Sequence, residues 1–257
     1  MKNQNSFSGR SVIVTGGSRG LGRGAAEHFL AAGADVIIAA RNTPDSLPTS
    51  GGKVALFCQT DVRDPDSSQA LIDFAVAETG RLDILINNAG GSPEVLAKDA
   101  SPRFTSAIIS MNLIAPAVLS QQAYLAICAT AKRGSIVNIA SVSAIRPSPG
   151  TAAYGAAKAG LVNLTRSLAQ EWAPDVRVNV IIAGLAKTES AFDHYGGQEG
   201  IAKIEQRMPM QRMATPEDIA KACMYLCSDQ ADYISGASLE VHGGGEPPAF
   251  LSLQQDD

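Results

Sequence analysis

The sequence predicts a single α/β domain in which a doubly wound, seven-stranded parallel sheet carries helices on both faces. Short runs rich in Val and Ile alternate with longer helical patterns, which is typical of βαβ units. These runs are almost continuously apolar, as expected of strands that are buried on both faces. A glycine-rich turn joins the first run to the first helix, where dinucleotide-binding folds hold a phosphate.

The predicted elements extend over nearly the whole chain. The strands read SVIVTG from Ser11, ADVIIAA from Ala34, KVALF from Lys53, LDILIN from Leu82, GSIVNIA from Gly134, VRVNVII from Val176 and ASLEV from Ala237. Helices are predicted over residues 20–32, 66–79, 103–129, 154–172, 199–207 and 216–228. We expect residues 1–245 to form the domain and residues 246–257 to form a tail, because the composition shifts there to Gly, Pro and polar residues.

Composition argues against several classes of function. A net charge of -4 provides no basic surface for a nucleic acid. The first residues lack the apolar core of a signal peptide, and we expect no segment long and apolar enough to span a membrane, so a cytoplasmic protein is predicted. The histidines and cysteines show no ligand spacing, which predicts no metal site, and the cysteines are interpreted as small buried side chains.

The loop TGGSRGLG, residues 15–22, is the predicted phosphate-binding turn. Gly16, Gly20 and Gly22 allow a tight turn, close approach of a pyrophosphate and packing of the helix on the sheet. The helix N-terminus adds unpaired N–H groups and the positive end of a dipole. The spacing is TGxxxGxG rather than GxGxxG, so the position after the first strand supports the hypothesis; the alternative is a tight turn without a ligand.

The end of the second predicted strand indicates which cofactor binds. Ala40 occupies the position at which NAD sites usually carry an acidic residue, and Arg41 follows it. Arg19 in the glycine loop can reach the same place, and a guanidinium group fits the oxygens of a 2′-phosphate. NADP(H) is therefore predicted. NAD(H) is the alternative, in which both arginines are solvated surface charges.

The segment TAAYGAAKAGLVNL, residues 151–164, carries Tyr154 and Lys158 on one face of a predicted helix. Reduction of a carbonyl requires a hydride donor and a proton donor. A tyrosine has an ordinary pKa near 10, too high for efficient proton exchange at neutral pH, and a neighbouring cation lowers it. We therefore expect Lys158 to lower the pKa of Tyr154; the alternative is that the pair only serves packing.

These motifs, taken in order, resemble those of the classical short-chain dehydrogenases/reductases over residues 8–245. They are TGGSRGLG at 15–22, DV at 61–62, NNAG at 87–90, Asn112, Ser141 and YGAAK at 154–158. The resemblance implies a Rossmann fold and an NAD(P)-dependent oxidoreductase. It also implies a homotetramer or homodimer, with interfaces on the helices near 103–129 and 154–172 and on the last strand.

The resemblance implies a role for each of four catalytic residues. Tyr154 would exchange the proton with the substrate. Lys158 would lower the pKa of Tyr154 and bind the nicotinamide ribose. Ser141 would bind the substrate oxygen and stabilise developing charge. Asn112 would hold a water molecule that connects Lys158 to solvent. The alternatives are that Ser141 caps a loop and that Asn112 satisfies a helix end.

The resemblance also implies a set of cofactor contacts. Asp61 and Val62 would flank the adenine, and Thr188 would contact the carboxamide. The middle of the cofactor would lie against Asn87, Ala89 and Gly90. Ala183 stands where the family usually has proline, so we expect a slightly looser edge there. The full predicted set is Gly16, Ser18, Arg19, Gly20, Leu21, Gly22, Arg41, Asp61, Val62, Asn88, Ala89, Gly90, Tyr154, Lys158, Gly184 and Thr188.

Three segments, from Gly90, from Val142 and over residues 185–213, are expected to form the substrate pocket. The last is interpreted as a lid or as a variable surface loop. Arg146 either meets an anionic substrate or is placed in solvent by Pro147 and Pro149. The closest resemblance is to 3-oxoacyl-carrier-protein reductases, although Gln170 replaces their usual arginine. In those reductases the resemblance implies that this arginine docks the acidic carrier protein. Lys132 and Arg133 could still supply positive charge for such docking.

The main hypothesis is an NADPH-dependent reductase that converts a ketone to a secondary alcohol. The substrate class stays open among a free ketone, a CoA thioester and a steroid-like alcohol. An NAD-dependent secondary-alcohol dehydrogenase is the alternative enzyme. A non-catalytic, cofactor-sensing protein on the same fold is the alternative from another class.

Overall fold

The computed structural model describes residues 6–189 and 191–247. Seven strands form one parallel sheet in the order β3-β2-β1-β4-β5-β6-β7. They are β1 Ser11–Thr15, β2 Asp35–Ala40, β3 Leu56–Gln59, β4 Ile84–Asn87, β5 Gly134–Ser141, β6 Val176–Ala183 and β7 Ser238–Val241. The order reverses between β1 and β4, so the chain is doubly wound and the predicted fold is confirmed.

Helices connect the strands and cover both faces of the sheet. They are α1 Gly20–Ala31, α2 Pro65–Thr79, α3 Pro102–Ile109, α4 Ala115–Thr130, α5 Ala152–Trp172, α6 Ala191–His194, α7 Gly197–Arg207 and α8 Pro216–Cys227. The helices α2, α3 and α8 begin at a proline that follows an N-cap side chain, Asp64, Ser101 or Thr215. Each of these side chains accepts a hydrogen bond from a backbone N–H of the first turn, which explains why these starts were predictable.

The third predicted strand begins too early. Lys53–Val54 pairs antiparallel with Thr49–Ser50, and the strand of the main sheet begins only at Leu56. The hairpin turns at Gly51 and Gly52, which have φ values of 58° and 77°. Two successive glycines are a hairpin signal, and the sequence interpretation missed it because the apolar run continues across the boundary.

The helix predicted over 103–129 is interrupted by a π-helical turn, Ser110–Ile114. The whole segment Pro102–Thr130 has 29 residues and a mean hydropathy of 1.4 in its most apolar window, enough in length and composition to cross a membrane. The expectation that no such segment exists was therefore wrong. Leu119, Ala123 and Ile127 are fully buried in a cluster with sheet residues, which identifies α4 as a core helix of this fold.

A buried polar network fixes α4 and α5 against the centre of the sheet. Asn87 Nδ2 donates to Asn138 Oδ1 and to Ser120 Oγ, each at 2.9 Å. Asn138 Nδ2 donates to Thr165 Oγ1 on α5 at 2.9 Å. The Asn87 side chain therefore points into the core, so the expectation that it lines the cofactor site was wrong. Its amide is needed to satisfy other buried polar groups.

Candidate active site

The carboxyl ends of the strands open into one cleft of about 660 Å³. Crevices at this edge of a doubly wound sheet are where ligands bind. The lining includes Ser141, Tyr154, Lys158 and every other predicted cofactor residue except Gly22 and Asn87. Residues predicted from separate segments of the chain are thus brought together. Ala39, Asn42, Thr43 and Met111 also line the cleft and were not predicted.

The glycine loop fits a pyrophosphate because its backbone leaves no room for side chains. A Cβ atom on Gly22 would lie 2.3 Å from the carbonyl oxygen of Gly16 and 2.4 Å from Asn88 Nδ2. Gly16 and Gly20 have φ values of 64° and 54°, in the left-handed region. Gly22 lies beneath the loop, and the backbone of the loop is presented to the cleft.

Thr15 and Asn88 clamp the glycine loop to the ends of β1 and β4. Thr15 Oγ1 accepts hydrogen bonds from the backbone N–H groups of Asn88 and Ala89, both at 3.0 Å. Asn88 Nδ2 donates to the carbonyl oxygen of Thr15 at 2.9 Å. The buried Thr15 was missed as a separate residue, although it is the first letter of the TGGSRGLG motif.

The N-terminus of α1 is contacted by a carboxylate from the other side of the cleft. The backbone N–H of Gly20 donates to Glu189 Oε2 at 3.1 Å. The first turn of α1 contains no acidic residue, and Arg19 provides no side-chain cap. Glu189 therefore supplies the negative charge that a helix N-terminus favours, at the place where a phosphate is predicted. Sequence spacing could not reveal this contact, since its partners are 169 residues apart.

The outer end of the cleft carries the two arginines that predict a 2′-phosphate. Arg19 and Arg41 are exposed and line the cleft, and the carbonyl oxygen of Arg41 accepts from Gln59 Nε2 at 2.9 Å. Asp61 is bound instead by Arg63, whose Nε donates to Asp61 Oδ1 at 2.9 Å. The Arg63 side chain holds the pKa of Asp61 at about 2. Asp61 thus carries a fixed charge that orders its own turn.

Tyr154 and Ser141 meet at the inner end of the cleft. Ser141 is the last residue of β5, and its Oγ accepts from the backbone N–H of Ser143 at 3.2 Å. The Tyr154 side chain is partly open to the cleft and otherwise enclosed by protein. Burial raises the pKa of Tyr154 above its ordinary value of 10.0, while a hydrogen bond with the Ser141 side chain lowers it. Burial dominates, so Tyr154 carries its proton at neutral pH.

Lys158 lies one turn further along α5 and is buried, with 4% of its surface exposed. Its Nζ donates to the carbonyl oxygen of Ile139 at 2.7 Å and lies 5.7 Å from the centroid of the Tyr154 ring. Burial lowers the pKa of Lys158 to about 8. The raised pKa of Tyr154 is opposite to the predicted direction, because the loss of contact with water outweighs the hydrogen bond with Ser141 that lowers it.

Asn112 is fully buried in the π-helical turn. Its Oδ1 accepts from the backbone N–H of Gly91 at 2.9 Å. Its Nδ2 donates to the carbonyl oxygens of Gly91 and Ile108 at 2.9 and 3.0 Å. The side chain therefore fixes the wall of the cleft beside Gly90. The predicted contact of Asn112 with a water molecule stays a prediction.

The edge of the cleft at Ala183, which was expected to be slightly loose, keeps regular strand pairing. Ala183 is the last residue of β6 and pairs in register with Ser141 on one side and Val241 on the other. The backbone N–H of Gly184 donates to the carbonyl oxygen of Val241 at 3.0 Å. The absence of proline thus lets the strand continue, and its ladder fixes this edge.

The segments predicted to surround the substrate lie around Tyr154. The backbone N–H of Val95 donates to the carbonyl oxygen of Gly150 at 2.8 Å, which joins the first two segments. The third forms α6 and α7, and Tyr195 packs there against a cluster that contains Ile201 and Met208. The phenol of Tyr195 is close enough to Tyr154 to raise its pKa.

Known proteins share the sequence pattern of this chain over most of its length. A family profile described as enoyl-(acyl carrier protein) reductase matches residues 16–246. The chain is 35% identical to a 3-oxoacyl-(acyl-carrier-protein) reductase of Chlamydia muridarum, over 91% of this chain and 96% of that protein. It is also 35% identical to 3beta-hydroxysteroid dehydrogenase 1 of Eggerthella lenta, over 92% and 93%.

A solved structure shows the same fold. Aldohexose dehydrogenase of Thermoplasma acidophilum superimposes with a TM-score of 0.85 at 30% identity, over 96% of each chain. The chain spans 43% of a longer uncharacterised short-chain dehydrogenase/reductase of Sinorhizobium fredii, to which it is 35% identical. With its glycine loop, its ordered motifs and its doubly wound sheet, the chain belongs to the short-chain dehydrogenase/reductase family of NAD(P)-dependent oxidoreductases.

Proposed function

We propose that this protein is an NADPH-dependent reductase that converts a ketone to a secondary alcohol, with Tyr154 as the proton donor. The observation that carries the proposal is the placement of Tyr154, Ser141 and the buried Lys158 in the same cleft as the glycine loop, with Tyr154 hydrogen-bonded to Ser141. A protonated phenol is the form that reduction needs. The opposite reaction at neutral pH needs Tyr154 as a base, and burial opposes that form.

The cleft fits a dinucleotide, and its residues divide into two groups. The glycine loop and the N-terminus of α1 would hold the pyrophosphate, with Arg19 and Arg41 at the 2′-phosphate. NADPH, when bound, supplies the hydride. Lys158 and Thr188 would hold the nicotinamide end. The remaining proposed contacts are Ser18, Leu21, Asp61, Val62, Ala89, Gly90 and Gly184.

Ser141, Tyr154 and Lys158, at the inner end of the cleft, would bind the carbonyl oxygen and transfer the proton. Ser141 donates a hydrogen bond to the carbonyl oxygen and fixes it near the Tyr154 hydroxyl. Tyr154 gives its proton to that oxygen as negative charge develops. The ammonium group of Lys158 then stabilises the phenolate that remains, because it lies in the same water-poor environment. Asn112 positions the wall that faces Lys158.

The proposal extends to assembly and location. Ile114 and Leu125 lie at or on α4 with 53% and 62% of their surfaces exposed, which supports a contact between copies on the predicted helical interface. We propose a cytoplasmic homotetramer, or homodimer, with residues 1–245 as the catalytic domain. Residues 246–257 would be the tail, of which 248–257 lie outside the described residues.

Replacing Tyr154 with phenylalanine tests the proton donor. Tyr154→Phe is expected to lower kcat by about 10²–10⁴-fold, the usual contribution of a general acid, while the Kd for NADPH changes little. Tyr233→Phe alters a fully exposed tyrosine and is the control. Retention of most of the turnover in a folded Tyr154→Phe variant would show that another group donates the proton. Cofactor binding by the unaltered protein without turnover on any carbonyl would favour the non-catalytic alternative.

Replacing Arg41 with alanine tests the choice of cofactor. Loss of a charge-assisted bond to phosphate costs about 1.5–3 kcal/mol, so kcat/KM for NADPH should fall by about 10–100-fold. The value for NADH should stay within about threefold. Arg133→Ala, on an exposed loop, is the control for nonspecific charge effects. An equal loss with both cofactors, or a wild-type preference for NADH, would favour the NAD-dependent dehydrogenase.

The pH dependence of stability tests the burial of Lys158. Its pKa is about 8 in the folded protein and 10.5 in the unfolded chain, so between these values the unfolded chain binds more protons. Stability contributed at this site therefore rises as pH rises through that window and is absent below it. Relative to Lys158→Met, the wild type should gain on the order of 3 kcal/mol between neutral pH and pH 10.5.

Urea unfolding in the absence of cofactor measures this difference. Leu161→Met, which alters a buried residue of the same helix without a titratable group, should show a difference from wild type that does not change with pH. A constant difference between wild type and Lys158→Met would contradict the lowered pKa.

A further inference from the structure

An ion pair joins the loop that follows Ser141 to the segment that follows β7. Arg146 follows the short turn after Ser141, and its Nη2 lies 2.6 Å from Glu246 Oε1. Its Nη1 donates to the carbonyl oxygen of Pro147 at 2.9 Å. The two charged side chains are only 36% and 39% exposed. Arg146 is thus drawn back onto the protein by Glu246 rather than extended into solvent.

This ion pair belongs to the surroundings of the reacting group. Burial raises the pKa of Tyr195, and the charges of Glu246 and Arg146 also act on it. Tyr195 in turn acts on Tyr154. The loop that carries Arg146 packs against α5 next to Tyr154, since a Cβ atom on Gly155 would lie 2.9 Å from the carbonyl oxygen of Ser143. Arg146 therefore lies on a loop that begins at Ser141 and borders Tyr154, where we propose that the substrate carbonyl binds.

Only part of the hydrogen-bonding capacity of the Arg146 guanidinium group is satisfied. Its Nε is buried and has no hydrogen-bond acceptor within residues 6–189 and 191–247. The neighbouring Nη2 donates a hydrogen bond to one carboxylate oxygen of Glu246. A carboxylate binds arginine most strongly through two parallel N–H···O bonds, and a buried donor without an acceptor is destabilising. A carboxylate that accepts from both nitrogens would complete this edge.

We propose that Arg146 is a specificity-determining residue that binds the carboxylate of an oxo acid substrate, and that Glu246 occupies this place until the substrate arrives. This inference rests on the proposed reductase function. The group that already sits on Arg146 is a carboxylate, which favours that chemistry over a neutral substrate. Glu246 can leave without disturbing the sheet, because it lies beyond β7 and beyond a turn in which Gly245 N donates to the carbonyl oxygen of His242 at 3.1 Å.

Matched pairs of substrates test the inference. NADPH oxidation is measured with 3-oxobutanoate, 4-oxopentanoate and 5-oxohexanoate and with the methyl ester of each, for the wild type, Arg146→Gln, Glu246→Gln and the control Arg133→Gln. The wild type should prefer at least one acid to its ester. Arg146→Gln should lower kcat/KM for that acid by about 10–100-fold, mainly through KM, and leave the ester unchanged.

Glu246→Gln provides a second, independent outcome. Removal of the competing carboxylate should raise kcat/KM for the acid several-fold and leave the ester unchanged. An acid-to-ester ratio that is the same in the wild type and in Arg146→Gln would overturn the inference. So would an unchanged acid reaction in Glu246→Gln, because the ion pair would then serve only to attach the tail.

The role of Arg146 and the reductase function are tested separately. Reduction of the esters without any preference for the acids would overturn the role of Arg146 and leave the reductase function intact. If no ketone is reduced, calorimetric titration of the three oxo acids into the protein decides the role of Arg146. Binding that is lost in Arg146→Gln supports that role, and no binding to the wild type overturns it.

Discussion

The hydrogen bond from Lys158 Nζ to the carbonyl oxygen of Ile139 fixes the geometry of the catalytic end of the cleft. It joins α5 to the end of β5 at 2.7 Å, so the residues carried by these two elements keep a set relation. Tyr154 lies one turn before Lys158, and Ser141 lies just beyond Ile139. The proton donor and the group that would bind the substrate oxygen are thus placed by the same contact. The cost is a buried ammonium group, and its lowered pKa expresses that cost.

The rest of the cleft follows from the parallel sheet, which brings the carboxyl ends of its strands to one edge. Just beyond the ends of β1 and β4, the backbone of Gly16 and the side chain of Asn88 lie so close to Gly22 that it cannot carry a side chain. Two protein carboxylates, Glu189 on Gly20 and Glu246 on Arg146, occupy places where we propose that anionic groups of the cofactor and the substrate bind. At each of these two places a ligand would exchange one anion for another.

The sequence predicted what depends on local patterns. Strand runs, proline starts with polar N-caps and the order of the family motifs could all be read from neighbouring residues. The contacts of Glu189 and Glu246 could not, since each joins positions at least 100 residues apart. The direction of Asn87 depends on which face of the sheet receives α4. The pKa of Tyr154 was predicted in the wrong direction, because helical spacing reveals the nearby lysine but not the burial of both groups.

The central claim is that this cleft reduces a carbonyl carbon with a hydride from NADPH. Its most direct test follows the hydride, using NADPH deuterated separately at each of the two C4 positions. The substrates are a free ketone, acetoacetyl-CoA and a 3-oxosteroid, and the products are examined by mass spectrometry. The account predicts that one of the two labelled cofactors places deuterium on the carbinol carbon of at least one product. Absence of deuterium from the products of all three ketones with both cofactors would contradict it.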